Sequence, residues 1–150
     1  VLIVGMIGLF IIQAANPNTP VKEDYRDAVS YLEQRATSRD VIILAAPFTI
    51  YPTEYYYKGD AAITTQPIWN RFSQGSVPAF SEEKLPDEIK RSTASYQTAW
   101  VMLSYDQGYN EKIRRYMDTH YERTSGQEFS KDLWVYSYKL RYDPGLDLKK

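Results

Sequence analysis

Apolar and polar positions fall into blocks along this chain, and the period changes from block to block. Residues 1–12, "VLIVGMIGLFII", carry no polar side chain. Further on, Tyr25, Ala28, Val29, Leu32 and Ala36 recur at helical spacing, which predicts an amphipathic helix. "DVIILAAP" is a continuous apolar run of strand length that ends at Pro47. Such a run is buried on both faces, as in a parallel sheet covered by helices. "TEYYYKG" predicts a short helix or turn ending at Gly59, and "AAITTQP" a second strand.

A loop, "PIWNRFSQGSVPAF", is broken by Gly75 and Pro78. "SEEKLPDEIKRSTASYQ" then predicts a helix capped at Ser81, with Glu82 and Glu83 in its first turn. "AWVMLSYD" is another strand of the buried kind. In "GYNEKIRRYMDTHY", residues Tyr109, Ile113, Tyr116, Met117 and His120 share one helical side. The chain closes as two strands around a loop. In the second, Trp134, Tyr136, Tyr138 and Leu140 alternate with Val135, Ser137 and Lys139, the pattern of a half-exposed antiparallel strand.

Alternating strands and helices predict an α/β fold. The expectation is a three-layer sandwich with a mainly parallel, Rossmann-like sheet and a C-terminal antiparallel hairpin at its edge. The length, 150 residues, suits one such domain.

The opening residues are a different material. Twelve apolar residues are too few to span a bilayer, which takes about 20. No basic region precedes them, as a signal peptide requires. The expectation is a chain cut from a longer protein, with residues 1–15 as the end of a transmembrane helix. Gly5 and Gly8 suit close helix packing there. Residues 16–22, with Pro17 and Pro20, form the linker, residues 23–142 the soluble domain and residues 143–150 a tail. Lys22 and Arg26 are too few to fix sidedness.

Charge and composition narrow the chemistry. Eighteen Lys+Arg against 19 Asp+Glu give a net charge of -1. That argues against a nucleic-acid partner, which needs a basic face. The absence of cysteine removes disulfides, a thiol nucleophile and cysteine-ligated zinc, and one histidine, His120, rules out a His-rich metal centre. No metal and no cofactor are expected. No G-x-G-x-x-G or G-x-x-x-x-G-K-[ST] follows a strand, so a nucleotide is not expected either. Ser104 lacks the G-x-S-x-G elbow.

What the chain does have is 14 tyrosines and three tryptophans. An α/β sheet binds ligands beyond the carboxyl ends of its strands. After "VIILAA" that position holds Phe48 and then Tyr51, Glu54, Tyr55, Tyr56 and Tyr57. After "AWVMLS" it holds Tyr105 and Asp106. Flat amphipathic rings serve core packing, sugar stacking or contact with lipid headgroups. Asp106, just ahead of Gly108 and a helix, suits a capping role as well as a ligand contact. Trp69 and Arg71, in the next loop, join the candidate binding residues, and no catalytic residue is assigned.

"DYRDAVSYL", then "RDVIIL", then "YPTEYYYKG", and later "VMLSYDQGYNEKIRRYMDTHYE" follow the end of an apolar segment. In this order they resemble the soluble tail after the last transmembrane helix of bacterial family-39 membrane glycosyltransferases. These are polytopic enzymes similar to protein O-mannosyltransferases and aminoarabinose transferases. The resemblance covers nearly the whole chain and implies a transferase using a polyprenyl-phosphate sugar donor at the cell membrane, with this domain on the extracytoplasmic side. The catalytic carboxylates of that family lie in loops between earlier membrane helices, so this segment alone is expected to be inactive. Its implied partners are its own transmembrane domain and a glycan acceptor or lipid-linked sugar. A membrane-anchored α/β carbohydrate-binding module is the alternative.

Overall fold

The computed structural model describes residues 24–140, so the expectations for residues 1–15, 16–22 and 143–150 lie outside it. Helix α1 (Tyr25–Glu33) starts where the Asp24 carboxylate accepts the Asp27 N–H at 3.2 Å, satisfying one of the donors a helix start leaves open. Its apolar stripe, Tyr25, Ala28, Val29 and Leu32, is buried. Strand β1 (Asp40–Leu44) is buried along its whole length. Asp40 opens it with a carboxylate held by the N–H and hydroxyl of Thr37, at 2.7 and 3.0 Å.

A 3-10 turn, Pro47–Thr49, leads directly into α2 (Ile50–Tyr56). The helix therefore begins before the expected Thr53. Pro52 falls in its first turn, where no intrahelical N–H bond is lost. Strand β2 (Ala62–Thr65), α3 (Leu85–Thr93), β3 (Thr98–Leu103), α4 (Asn110–His120), β4 (Glu122–Ser130) and β5 (Leu133–Lys139) follow. Helix α3 starts at Leu85, not at Ser81. Ser81 contributes only its carbonyl, accepting the Leu85 N–H at 3.1 Å, and Pro86 occupies the first turn with Asp87 and Glu88. Proline suits that place because its φ is already helical.

Among the described residues the result is an α/β fold with an open, mixed five-stranded sheet in the order β2-β1-β3-β5-β4 and four helices. Strands β2, β1 and β3 run parallel, and β5 and β4 add two antiparallel pairings. The closing hairpin thus places β4 at the edge and β5 inside the sheet. The expected half-exposed pattern holds over Leu133–Tyr136, where Trp134 and Tyr136 are half-buried, and fails at Tyr138, which is fully buried. Leu133 and Val135 of β5 are buried on the side of α1, and Tyr138 on the side of α4. An interior strand has neighbours over both faces, and on the face that Trp134 and Tyr136 share the α4-side core closes over Tyr138.

Alternate side chains of the central strands feed two cores. Ile42, Leu44, Trp100 and Met102 pack with Ala28, Val29 and Leu32 of α1 and with Ile50 and Tyr57 from the α2 segment. Val41, Ile43, Val101 and Leu103 pack with Leu85 and Ile89 of α3 and Ile113 and Met117 of α4. Tyr138 is fully buried in the second core and donates its hydroxyl to Asp118 at 3.0 Å. The Tyr138 bond ties α4 to the hairpin, and Arg114, one turn earlier on the same helix, pairs with the same carboxylate at 2.9 Å. Among the described residues no helix is long and apolar enough to cross a membrane.

Burial pushes five phenols, Tyr57, Tyr109, Tyr116, Tyr136 and Tyr138, above their ordinary value. The hydrogen bond to Asp118 and that carboxylate's charge push Tyr138 up further. The neutral phenol is therefore favoured by the folded state. Its stabilising effect is complete below the unfolded value, about pH 10, and is lost as pH rises through the higher folded values. Urea midpoints measured upward from neutral pH should hold level to about pH 10 and then fall. A midpoint that stays level well beyond that would mean these phenols are solvated.

Candidate functional site

Helical spacing divides the tyrosine-rich segment. Ile50, Thr53 and Tyr57 face inward, at positions i, i+3 and i+7, and are buried. Tyr57 uses its hydroxyl to accept the Ala61 N–H at 3.1 Å, closing the turn into β2. Tyr51, Glu54 and Tyr55, at i, i+3 and i+4, share the outer side, with Tyr51 56% and Tyr55 72% exposed. Tyr56 is half-buried against the α1 core, edge-on to Tyr55 at 4.9 Å and 5.8 Å beneath the Arg26 guanidinium.

The loop after β2 comes to meet this outer side. Trp69 is fastened by its N–H to the Thr65 hydroxyl at 2.9 Å and by its indole N–H to the Gln74 carbonyl at 3.3 Å. Asn70 shapes the turn, its side-chain oxygen accepting the N–H groups of Phe72 and Ser73 at 3.1 and 3.2 Å. Asparagine is favoured at such a place because its side chain mimics a backbone turn.

Of the candidate binding residues Tyr51, Glu54, Tyr55, Tyr56, Tyr57, Trp69, Arg71 and Asp106, four converge here. Tyr51 and Trp69 meet edge to face, with centroids 6.2 Å apart. The Arg71 guanidinium lies 5.5 Å from the Tyr51 centroid and 4.8 Å from that of Phe72, and pairs with Glu54 at 2.7 Å. Its Nη1 is buried with no hydrogen-bond partner. A half-exposed ion pair of this kind contributes about 0–1 kcal/mol to stability. The cluster is thus a ring surface flanked by a carboxylate and a guanidinium donor, which suits a neutral, hydroxyl-rich ligand with an apolar face.

Compared with known proteins, the chain matches no family model, no curated protein and no solved structure.

The remaining nominated residues are elsewhere. Tyr57 is a core residue, and Tyr55 and Tyr56 make no ring contact with the cluster. Asp106 lies in the connection after β3, where its carboxylate accepts the N–H groups of Gly108 at 2.8 Å and Asn110 at 3.2 Å, closing the entry to α4. His120 ends α4, stacked on Tyr116 at 4.1 Å with Nδ1 2.8 Å from the Tyr116 carbonyl. Among the described residues no group of three His, Cys, Asp or Glu side chains is arranged to hold a metal.

A second aromatic group occupies the place where the sheet reverses its strand order, between the carboxyl ends of β1 and β3. Tyr105 stacks on Tyr25 at 6.3 Å and meets Phe48 at 5.4 Å. The Tyr25 hydroxyl donates to the buried Ser104 hydroxyl at 2.7 Å. In open α/β sheets this crevice is the usual ligand site. Here three rings gather over it. Tyr105 also holds a left-handed backbone, φ 43°, which is uncommon for a residue with a Cβ. Phe72 and Tyr25 are the contributors that sequence reasoning missed. Tyr25 read only as part of the helix stripe, and Phe72, beside Arg71 in a loop, gave no sign of its 88% exposure.

Proposed function

We propose that this chain is a noncatalytic, extracytoplasmic domain of a membrane glycosyltransferase that uses a polyprenyl-phosphate sugar donor, and that it recognises a glycan acceptor through Tyr51, Glu54, Trp69 and Arg71. The observation that carries this reading is the convergence of those four side chains from two separate connections. A pyranose ring offers an apolar face for the rings and hydroxyls for the carboxylate and guanidinium, and the cluster supplies both kinds of partner. The order of motifs that resembles family-39 tails supports the transferase context, with the two helix pairs read as the outer layers of a Rossmann-like three-layer sandwich. In that reading residues 1–15 attach the domain to its own transmembrane part, and the sugar transfer takes place there.

A membrane-anchored carbohydrate-binding module would use the same cluster. The number of hydrophobic spans encoded before Val1 separates the two, many for the transferase and one for the anchor. The test of recognition is glycan-array binding by the whole 150-residue chain in detergent, beside Tyr51→Ala. Selective binding that Tyr51→Ala abolishes is expected. A folded chain that binds no glycan would overturn the recognition role.

A further inference from the structure

Among the described residues, the exposed large hydrophobic side chains are Phe48, Tyr51, Tyr55, Phe72, Val77 and Tyr105. All of them lie in the connections that leave the carboxyl ends of the three parallel strands. Phe48 and Tyr51 follow β1, Phe72 and Val77 follow β2, and Tyr105 follows β3. Tyr55 is one turn further along α2. The other helices and the β4–β5 hairpin contribute none. We infer that this rim is a lipid-contact surface that lies against the headgroup region of a bilayer and orients the domain with the carboxyl edge of its sheet toward the membrane.

Three observations favour lipid over a protein occupant. First, five of the six side chains are aromatic and Val77 is the one aliphatic. Tyrosine and other amphipathic rings are the residues that collect at membrane–water interfaces. Second, several charges in the rim are already satisfied. Arg71 is paired with Glu54, and the Asp106 carboxylate is bonded to two backbone N–H groups. The opposite edge of the sheet, by contrast, carries exposed Lys139 and Glu122, which are register partners, with exposed Arg39 just before β1. Third, the chain enters at the rim. Tyr25, the first residue of α1, is bonded to Ser104 and stacked on Tyr105. Only residues 13–24 separate it from the apolar stretch 1–12. At about 3.5 Å per residue such a tether reaches roughly 40 Å at most, which bounds how far a membrane holding residues 1–12 lies from Tyr25.

The inference rests on the membrane attachment in the reading above, and not on its sugar chemistry. It would place the Tyr51–Trp69 cluster at headgroup height. Because the chain has no cysteine, single cysteines can be labelled with an environment-sensitive fluorophore. The whole chain would carry the label at Phe72→Cys, Tyr105→Cys, Gln13→Cys or Ser38→Cys. Ser38, just before β1, is exposed at the opposite edge. Each variant would be reconstituted into vesicles of phosphatidylethanolamine and phosphatidylglycerol containing spin-labelled lipid. The expected result is quenching at 72 and 105 several-fold stronger than at 38, together with quenching at 13. Phe72 is almost fully exposed, so its variant stands even where Tyr105→Cys fails to fold. Quenching at 13 alone would overturn the lipid rim while leaving the attachment intact. A blue-shifted but unquenched label at 72 would also overturn it, showing cover by residues 1–12, or by a second copy where the shift depends on protein concentration. No quenching at 13 would overturn the attachment, and the inference with it.

Discussion

Trp69→Ala is expected to weaken glycan binding at least roughly thirty-fold, about 2 kcal/mol, the loss typical of truncating an aromatic anchor. The indole is the part of the cluster that is locked in place. It is bonded at both its backbone N–H and its ring N–H, while Tyr51 leans on it edge to face at 6.2 Å. Removing it takes away a ring surface and also the wall that orients Tyr51. Trp69→Phe keeps the ring surface but loses the bond to Gln74, so it should recover most of the affinity. Isothermal titration of both variants against the best array ligand measures this. Unchanged affinity in Trp69→Ala would remove Trp69 from the site.

Tyr57→Ala should instead cost about 3–5 kcal/mol of folding stability, the range for deleting a buried aromatic ring. The ring is 7% exposed in the α1-side core and fills the corner between α2 and β2. Tyr57→Phe should cost about 1–2 kcal/mol, because the Ala61 N–H loses its acceptor. Urea unfolding with the slope held in common gives both values. Neither variant should alter glycan affinity while the protein is folded. A Tyr57→Ala stability equal to wild type would mean that the ring faces solvent.

Tyr51 and Tyr57, six residues apart, show how far the sequence carries. The apolar run "VIIL" and the stripe Tyr25, Ala28, Val29, Leu32 each have one physical reading, and the structure has a buried strand and an amphipathic helix there. The division of Tyr51 from Tyr57 depends on where α2 begins. Counted from Ile50, the helical period places Ile50, Thr53 and Tyr57 inside and Tyr51 and Glu54 outside. Counted from Thr53, it gives no such split. The two starts differ in opposite senses: α2 begins before Pro52, which sits in its first turn, while α3 begins one turn after Ser81, where Ser81, Glu82 and Glu83 only imitate a cap and an acidic first turn. The meeting of Tyr51 with Trp69, and of Arg71 with Glu54, is tertiary. It depends on β1 and β2 being neighbours, which no local pattern encodes. Asp106, by contrast, was legible as a capping residue from its place before Gly108, which takes the positive φ of 88° the turn requires.

Glycan recognition at the Tyr51–Trp69–Arg71–Glu54 cluster can be followed through the chain's three tryptophans. Trp100 is buried in the α1-side core and Trp134 is half-buried on the other face of the sheet, so both serve as internal controls. The measurement is the shift of the three indole N–H resonances of the labelled chain during titration with the array ligand. A saturable shift of the Trp69 resonance, with Trp100 and Trp134 still, is the expected result. A shift at Trp134 or Trp100 with Trp69 unmoved would place the glycan away from the Tyr51–Trp69 cluster.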